Sequence, residues 1–187
     1  MYIYVRLFKT LIGGLLAPRA VGLQDSVLHF RVWPNDLDFN LHMNNGRYLT
    51  LMDLGRMDLV TRLGMLPVMR RERWAPLLGN CTIRFRRSLA PFQKFCLRTR
   101  VVSWDDKWIY MIQRFETMDG KVAALALVRG LLAGPQGSIT PAQMLAAVGI
   151  TLDAPQMPIA ATEWADVDDR LWAAYGTVEA SDKKTAD

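Results

Sequence analysis

Ten consecutive positions hold most of the reactive polarity of this 187-residue chain. Asp36-Leu37-Asp38-Phe39-Asn40-Leu41-His42-Met43-Asn44-Asn45 carries two carboxylates, an imidazole and three amides, and Gly46, Arg47 and Tyr48 follow at once. Asp, Asn and Gly favour turns and helix N-caps, so this polar knot is expected where an extended segment turns into a helix. Backbone N–H groups at a helix start are unpaired and carry partial positive charge. A carboxylate held beside such donors has the means to attack an activated carbonyl, or to deliver water to it, while the donors polarise the carbonyl oxygen.

The elements that must position this knot can be read on either side of it. Val27–Trp33 alternates apolar and polar residues, which predicts a strand that Pro34 ends. Tyr48, Leu51, Met52, Leu59 and Leu63 mark one long helix from Asn45 to Leu63, with Gly64 as its stop. Roughly 19 residues make about 28 Å of helix, enough to cross a sheet. Gly55 falls mid-helix, where glycine costs stability unless the backbone packs closely against a neighbour.

After a Pro- and Arg-rich connection come four extended segments, near Leu77–Arg87, Lys94–Trp104, Lys107–Met118 and Lys121–Ala133. Asp119-Gly120 predicts a type I′ hairpin and Asp105-Asp106 a tight turn. Thr140-Pro141-Ala142-Gln143 combines an N-cap, a proline at the first helical position and a capping-box glutamine, opening a short helix that ends near Gly149. Trp164, Val167, Leu171, Trp172 and Tyr175 predict a further helix, and Glu179–Asp187 a frayed tail. The layout is α+β, an antiparallel sheet wrapped around a long central helix. Its expected divisions are an amphipathic segment over 1–25, one domain over 26–149 and an extension over 150–187. The nearly continuous apolar run of Lys121–Ala133 points to a subunit interface on one face of the sheet.

Bulk properties narrow the function. The chain is 51% hydrophobic with six Trp, a folded globule rather than a disordered chain. Cys81 and Cys96 have no metal-like spacing and read as buried thiols in a reducing compartment. His29 and His42 alone cannot build a usual zinc site, so no metal is expected. Residues 1–114 hold 18 Lys and Arg against 8 Asp and Glu, and residues 115–187 hold 5 against 10. A basic body suits an anionic ligand or an acidic membrane; nucleic acid is set aside, because no recognition-helix, zinc-finger or RNP-type pattern occurs.

In Met1–Ala17, Ile3, Leu7, Leu11 and Leu15 recur at four-residue spacing with Phe8 and Ile12 beside them, and Arg6, Lys9, Thr10 and Gly13 fall on the other side. Such a helix is too short and too charged to span a bilayer, and it makes a poor signal peptide. It is expected to pack on the body or at a subunit contact. Interfacial membrane attachment through residues 1–17 is the alternative. The location expected is therefore cytoplasmic, with peripheral membrane contact as an option.

The order strand, Asp-x-Asp-x-x-x-His-Met-Asn-Asn-x-x-Tyr, long helix, antiparallel sheet resembles the hotdog fold. More narrowly it resembles the 4-hydroxybenzoyl-CoA thioesterase-like branch of acyl-CoA thioesterases, over roughly Ser26–Gly149. The resemblance implies hydrolysis of an acyl-CoA or acyl-carrier thioester with no cofactor beyond the coenzyme A of the substrate. It implies a homodimer or homotetramer with active sites between subunits. It places the catalytic carboxylate on Asp38, as nucleophile or as base toward water, and the polarising backbone N–H on Asn45. Many members have Gly before the motif histidine; here that position is Leu41.

Each of these residues also has a structural reading. Asp38 is otherwise a turn or capping residue, and Asp36 is expected to fix the loop through backbone N–H groups. His42 is read as bonded within the loop and bordering the substrate, with a general base as the alternative. Asn44 is the expected N-cap, also bordering the site, and Tyr48 is core. Met43, Met52, Met57 and Met65 are core or acyl-pocket residues. Arg84, Arg86, Arg87 and Arg129 are candidates for the CoA phosphates, Arg86 first. Two other functions compete. Asp38-Phe39-Asn40-Leu41-His42 looks like a shortened Asp-x-Asn-Pro-x-His of hotdog enoyl-thioester hydratases, lacking the proline and one residue of spacing. The other is a non-catalytic acyl-binding protein at a membrane.

Overall fold

The computed structural model describes residues 3–19 and 23–176. Compactness divides the chain between Pro155 and Gln156. In the first unit, α1 (Ile3–Leu16) precedes β1 (Ser26–Arg31), and a single 3-10 turn (Pro34–Asp36) leads into the polar knot. Then follow α2 (Asn45–Arg62), α3 (Met65–Glu72), β2 (Ala75–Phe85), β3 (Lys94–Trp104), β4 (Ile109–Thr117), β5 (Val122–Gly134), β6 (Gly137–Ile139) and α4 (Pro141–Ala147). The second unit contains α5 (Ile159–Tyr175), the helix expected from Trp164 to Tyr175. The tail expected to fray lies outside the described residues.

All strand pairs are antiparallel, in the order β1-β3-β4-β5-β2, with β6 added to the far end of β5. Inward positions alternate along the strands. Phe95, Leu97 and Thr99 of β3, Met111, Gln113 and Phe115 of β4, and Ala124, Ala126 and Val128 of β5 are buried, together with Tyr48, Leu51 and Met52 of α2. The sheet therefore wraps α2, as the hotdog arrangement requires. Tyr48 stacks edge-on to Phe85 and Phe115, with ring centroids 5.0 and 4.8 Å away. Burial pushes its phenol up to about 12.

Gly55 explains how the helix lies so close. A Cβ there would sit 2.2 Å from Thr99 Oγ1 and 3.0 Å from Gln113 Nε2. Gln113 is fully buried in β4, and its amide donates to the Met52 carbonyl and to Thr99 Oγ1, each at 2.9 Å. This is the close backbone packing that a mid-helix glycine calls for.

Three expectations need correction. The connection after α2 is not merely a loop: Met65–Glu72 forms α3, with Gly64 at φ +73 as the joint. Pro67 falls in its first turn, where a missing N–H is tolerated. The hairpin between β4 and β5 exists, but its turn is not type I′. Gly120 donates to the Thr117 carbonyl and alone takes positive φ, with Met118 and Asp119 absent from the left-handed region. That is the three-residue loop with a left-handed glycine at its end. The third concerns α1. Its buried face mixes the two sides: Arg6, Thr10 and Gly14 are buried and Ile3 and Leu7 pack on the core, while Phe8, Ile12 and Leu15 face outward.

Candidate active site

The polar knot is built in two layers. The inner layer is Asp36, fully buried at the end of the 3-10 turn. Arg6 of α1 meets it as a fork, Nη1 to Oδ1 at 3.0 Å and Nη2 to Oδ2 at 2.5 Å, and also donates to the Arg31 carbonyl at 3.0 Å. The Trp33 N–H donates to Asp36 Oδ2 at 2.9 Å. Arg47 comes within 3.9 Å of Oδ1 and donates to the Asn35 carbonyl. Asp36 fixes the loop through a backbone N–H, as its spacing predicts. Arg6 is the partner that sequence reading missed, because a basic residue on an amphipathic helix reads as solvated.

The outer layer carries Asp38. Leu37 and Met43 pair as an isolated antiparallel bridge, and the Asn44 N–H donates to the Asp36 carbonyl at 2.8 Å. Within this small hairpin the Asp38 N–H donates to the His42 carbonyl at 2.9 Å. The Asp38 carboxylate is half-held. Oδ1 accepts from the N–H groups of Asn40 (2.9 Å) and His42 (3.3 Å), whereas Oδ2 has no donor among the described residues. Leu41 completes the turn at φ +58, the left-handed conformation that glycine takes at little cost. The loop thus keeps the geometry a glycine would give and carries the strain in Leu41.

Asn44 ends the knot by capping α2, its Oδ1 accepting the Gly46 N–H at 2.8 Å. The Asn45 N–H opens the helix with no acceptor among the described residues and lies on an exposed face. Helix start, exposed N–H and half-held carboxylate therefore occupy one short segment. His42 differs from expectation: its main chain, not its ring, ties the loop, and the imidazole is exposed. Asn44 matches its N-cap reading, with its side-chain oxygen committed to the cap.

The proposed phosphate arginines separate into two groups. The Met43 N–H donates to the Leu89 carbonyl at 3.0 Å, joining the knot to the chain three residues beyond Arg86. The N–H groups of Arg86 and Arg87 both reach the Ala123 carbonyl, and their side chains are exposed, as is that of Arg84. Arg129 is different. It is buried with its guanidinium 4.9 Å from the Trp108 ring, committed to the sheet.

A cavity of about 290 Å3 opens beside the C-terminal half of α2, lined by Met57, Val60 and Leu63, by Leu77 and Leu78 of β2, and by Met144 of α4 among others. Asp53 and Arg56 supply its polar rim, where Arg56 donates to Gln113 Oε1 at 2.6 Å and pairs with Asp53. The methionines divide accordingly: Met43, Met52 and Met65 are core, and Met57 lines the cavity. The 57-60-63 spacing was the available sequence signal.

Comparison with known proteins agrees with this architecture. Protein THEM6 of Danio rerio is 45% identical over 108 residues, covering 57% of this chain and 54% of that protein. A Saccharomyces cerevisiae protein named "Probable thioesterase YBR096W" is 28% identical over 119 residues, 63% of this chain and 52% of its own length. The chain spans about half the length of these curated relatives. The solved structure of YbaW, named a probable thioesterase, from Escherichia coli superposes with a TM-score of 0.60 at 20% identity, over 66% of this chain and 96% of that one. The family model described as the thioesterase-like superfamily matches residues 32–164, so most of the chain, polar knot and wrapped helix included, falls inside it. The chain belongs to the thioesterase-like superfamily.

Proposed function

We propose that this protein hydrolyses an acyl-CoA-type thioester, with Asp38 as the catalytic carboxylate and the Asn45 N–H as the donor to the carbonyl oxygen. The observation that carries this is the half-held Asp38 at the start of α2, one oxygen fixed by two backbone N–H groups and the other open. Oδ2 either attacks the thioester carbon, giving an acyl anhydride that water then opens, or takes the proton of a water that attacks directly. In both routes the oxyanion meets the Asn45 N–H and the positive end of the helix dipole, and the CoA thiolate leaves. A thioester is activated enough for this small set of groups.

The apolar cavity beside Met57 suits an acyl group, and Arg86 with Arg87 suits the CoA phosphates. His42 and Asn44 border the thioester. Hydrolysis fits better than hydration of an enoyl thioester, since Asp38 bonds the main chain of His42 and no Asp38–His42 side-chain pair forms. We propose further that the protein works as a homodimer or homotetramer. The 11-residue strand β2 has one unpaired, largely exposed edge, where a second copy can extend the sheet. For location we propose the cytoplasmic side of a membrane, with α1 resting on its surface. Among the described residues no helix is long and apolar enough to cross a bilayer.

The test is thiol release from a panel of aliphatic and aromatic acyl-CoAs by wild type and Asp38→Ala. A fall in kcat on the order of 10²–10⁴ with fold and oligomer intact supports the assignment. Undiminished turnover in Asp38→Ala would remove Asp38 from the mechanism. No turnover of any substrate by wild type would favour a binding protein.

A further inference from the structure

The docking of α1, with Ile3, Arg6, Leu7, Thr10 and Gly14 turned inward, leaves two neighbouring surfaces exposed. Its inner face is fully used: Arg6 forks onto Asp36, and Gly14 lies so close to α2 that a Cβ would meet Thr61 at 2.9 Å. Its outer face then presents Tyr4 (78% exposed), Phe8 (63%), Leu15 (65%) and Leu16 (82%), with Val5 and Ile12 between them. Ile3 and Leu7 pack on the core, but these six side chains stay outside it. Over about 21 Å of helix they form an exposed apolar stripe instead.

The second surface is a cleft of about 580 Å3 between α1 and β1. Lys9 of α1, His29 and Arg31 of β1, Trp33 and Lys94 of β3 line it, and among the described residues no carboxylate does. Arg31 and Lys94 stand directly opposite each other in the β1–β3 register. Like charges at such a position repel and destabilise a sheet. No ion pair serves Lys9, Arg31 or Lys94 among the described residues. Among the described residues the cleft is therefore a cationic site without a counter-charge.

We propose that this cleft binds the phosphate of an anionic phospholipid while the apolar stripe of α1 lies in the membrane surface. The inference rests on the membrane contact proposed above and is independent of the hydrolytic one. Lys9 lines the cleft from the same helix that carries the stripe, next to Phe8, so a single partner must offer apolar and anionic groups side by side. An acidic bilayer does so, with acyl chains beneath a layer of phosphates. A second copy of this chain meeting the same surface would set cation against cation. Trp33 beside the cations matches the preference of tryptophan for the headgroup level.

The experiment is flotation of the full chain with vesicles of phosphatidylcholine alone and with phosphatidylserine added. Tighter binding to the acidic vesicles is expected, declining with salt. Arg31→Gln with Lys94→Gln should weaken that binding by about thirty-fold, each charge contributing roughly five-fold near a membrane. It should also erase the preference for phosphatidylserine. Phe8→Ser with Leu15→Ser, on solvent-facing positions, should weaken binding to both vesicle types. Equal binding to the two vesicle types, binding to neither, or a preference that survives Arg31→Gln/Lys94→Gln would overturn the proposal. So would loss of free CoA binding in that variant by calorimetry, which would assign the cleft to the substrate's phosphates. Thiol release from a soluble acyl-CoA without vesicles should be unchanged in the variant, so failure at the membrane is distinguishable from failure as a hydrolase.

Discussion

Arg6 and Asp36, thirty residues apart, form a buried two-pronged ion pair that ties α1 to the loop bearing Asp38, each side chain only 2% exposed. Removing one partner strands a buried charge. Arg6→Ala should therefore cost about 3–5 kcal/mol, read as a lower urea midpoint. Arg6→Met with Asp36→Leu removes both charges and should recover much of that loss. Equal damage from single and double variants would show that the pair is not what holds α1.

Leu41 stores strain in the same loop. A non-glycine residue in the left-handed region costs about 1–2 kcal/mol, and glycine returns part of this through the greater freedom of its unfolded chain. Leu41→Gly should raise stability by up to about 1 kcal/mol, seen as a higher melting temperature. A drop instead would mean that the exposed Leu41 side chain is covered in the assembled protein.

Gly55→Ala tests the closest approach of α2 to the sheet. Alanine is the better helix former by about 1 kcal/mol, yet its Cβ would collide with Thr99 Oγ1. Overpacking should prevail, with a net loss of about 1–3 kcal/mol in denaturant titration. Unchanged stability would show that β3 can move away at no cost.

Asp25 supplies a pH signature. The hydrogen bond from Arg100, helped by its charge and by Arg98, holds the Asp25 carboxyl below the usual 3.8 despite partial burial. A lowered folded value means that the pair stabilises above pH 3.8 and that the benefit fades as pH falls through the folded value. Because Arg100 is largely exposed, the contribution is about 1 kcal/mol or less. Wild type should exceed Asp25→Asn in stability near neutrality, and the two should converge below pH 3.8. A constant gap down to pH 2 would contradict the linkage.

Periodicity and capping made most of the scaffold legible. The alternation in β1, the Tyr48-to-Leu63 stripe of α2 and the Thr140 capping box each signal an element through local chemistry. The Asp38 loop was legible because turn formers, an N-cap and a carboxylate occur together. What escaped was set by contacts distant in sequence. Arg6 looked like a solvated charge because its partner lies thirty residues away, so the buried face of α1 is rotated from the expected stripe: Ile3 and Leu7 pack on the core, while Leu15 stays outside. Asp119-Gly120 announced a tight turn but not its length, which the register of Glu116 with Val122 decides. The cavity beside Met57 needs β2, β5 and α4 assembled around it, and no single segment encodes that.

The strand order also has a consequence for how the chain is made. As residues emerge during synthesis, β1 and β2 appear before any strand they pair with, since β1 waits for β3 and β2 waits for β5. β3, β4, β5 and the short β6 close as successive hairpins on emergence. The nascent N-terminal half must therefore hold β1 unpaired until β3 emerges and β2 unpaired until β5 does, one strand joining each side of the meander. Late closure over such long loops is slow and exposes sticky surface. Yield in the cell should accordingly depend on chaperones that bind the first ninety or so residues, more than on the stability of the finished fold.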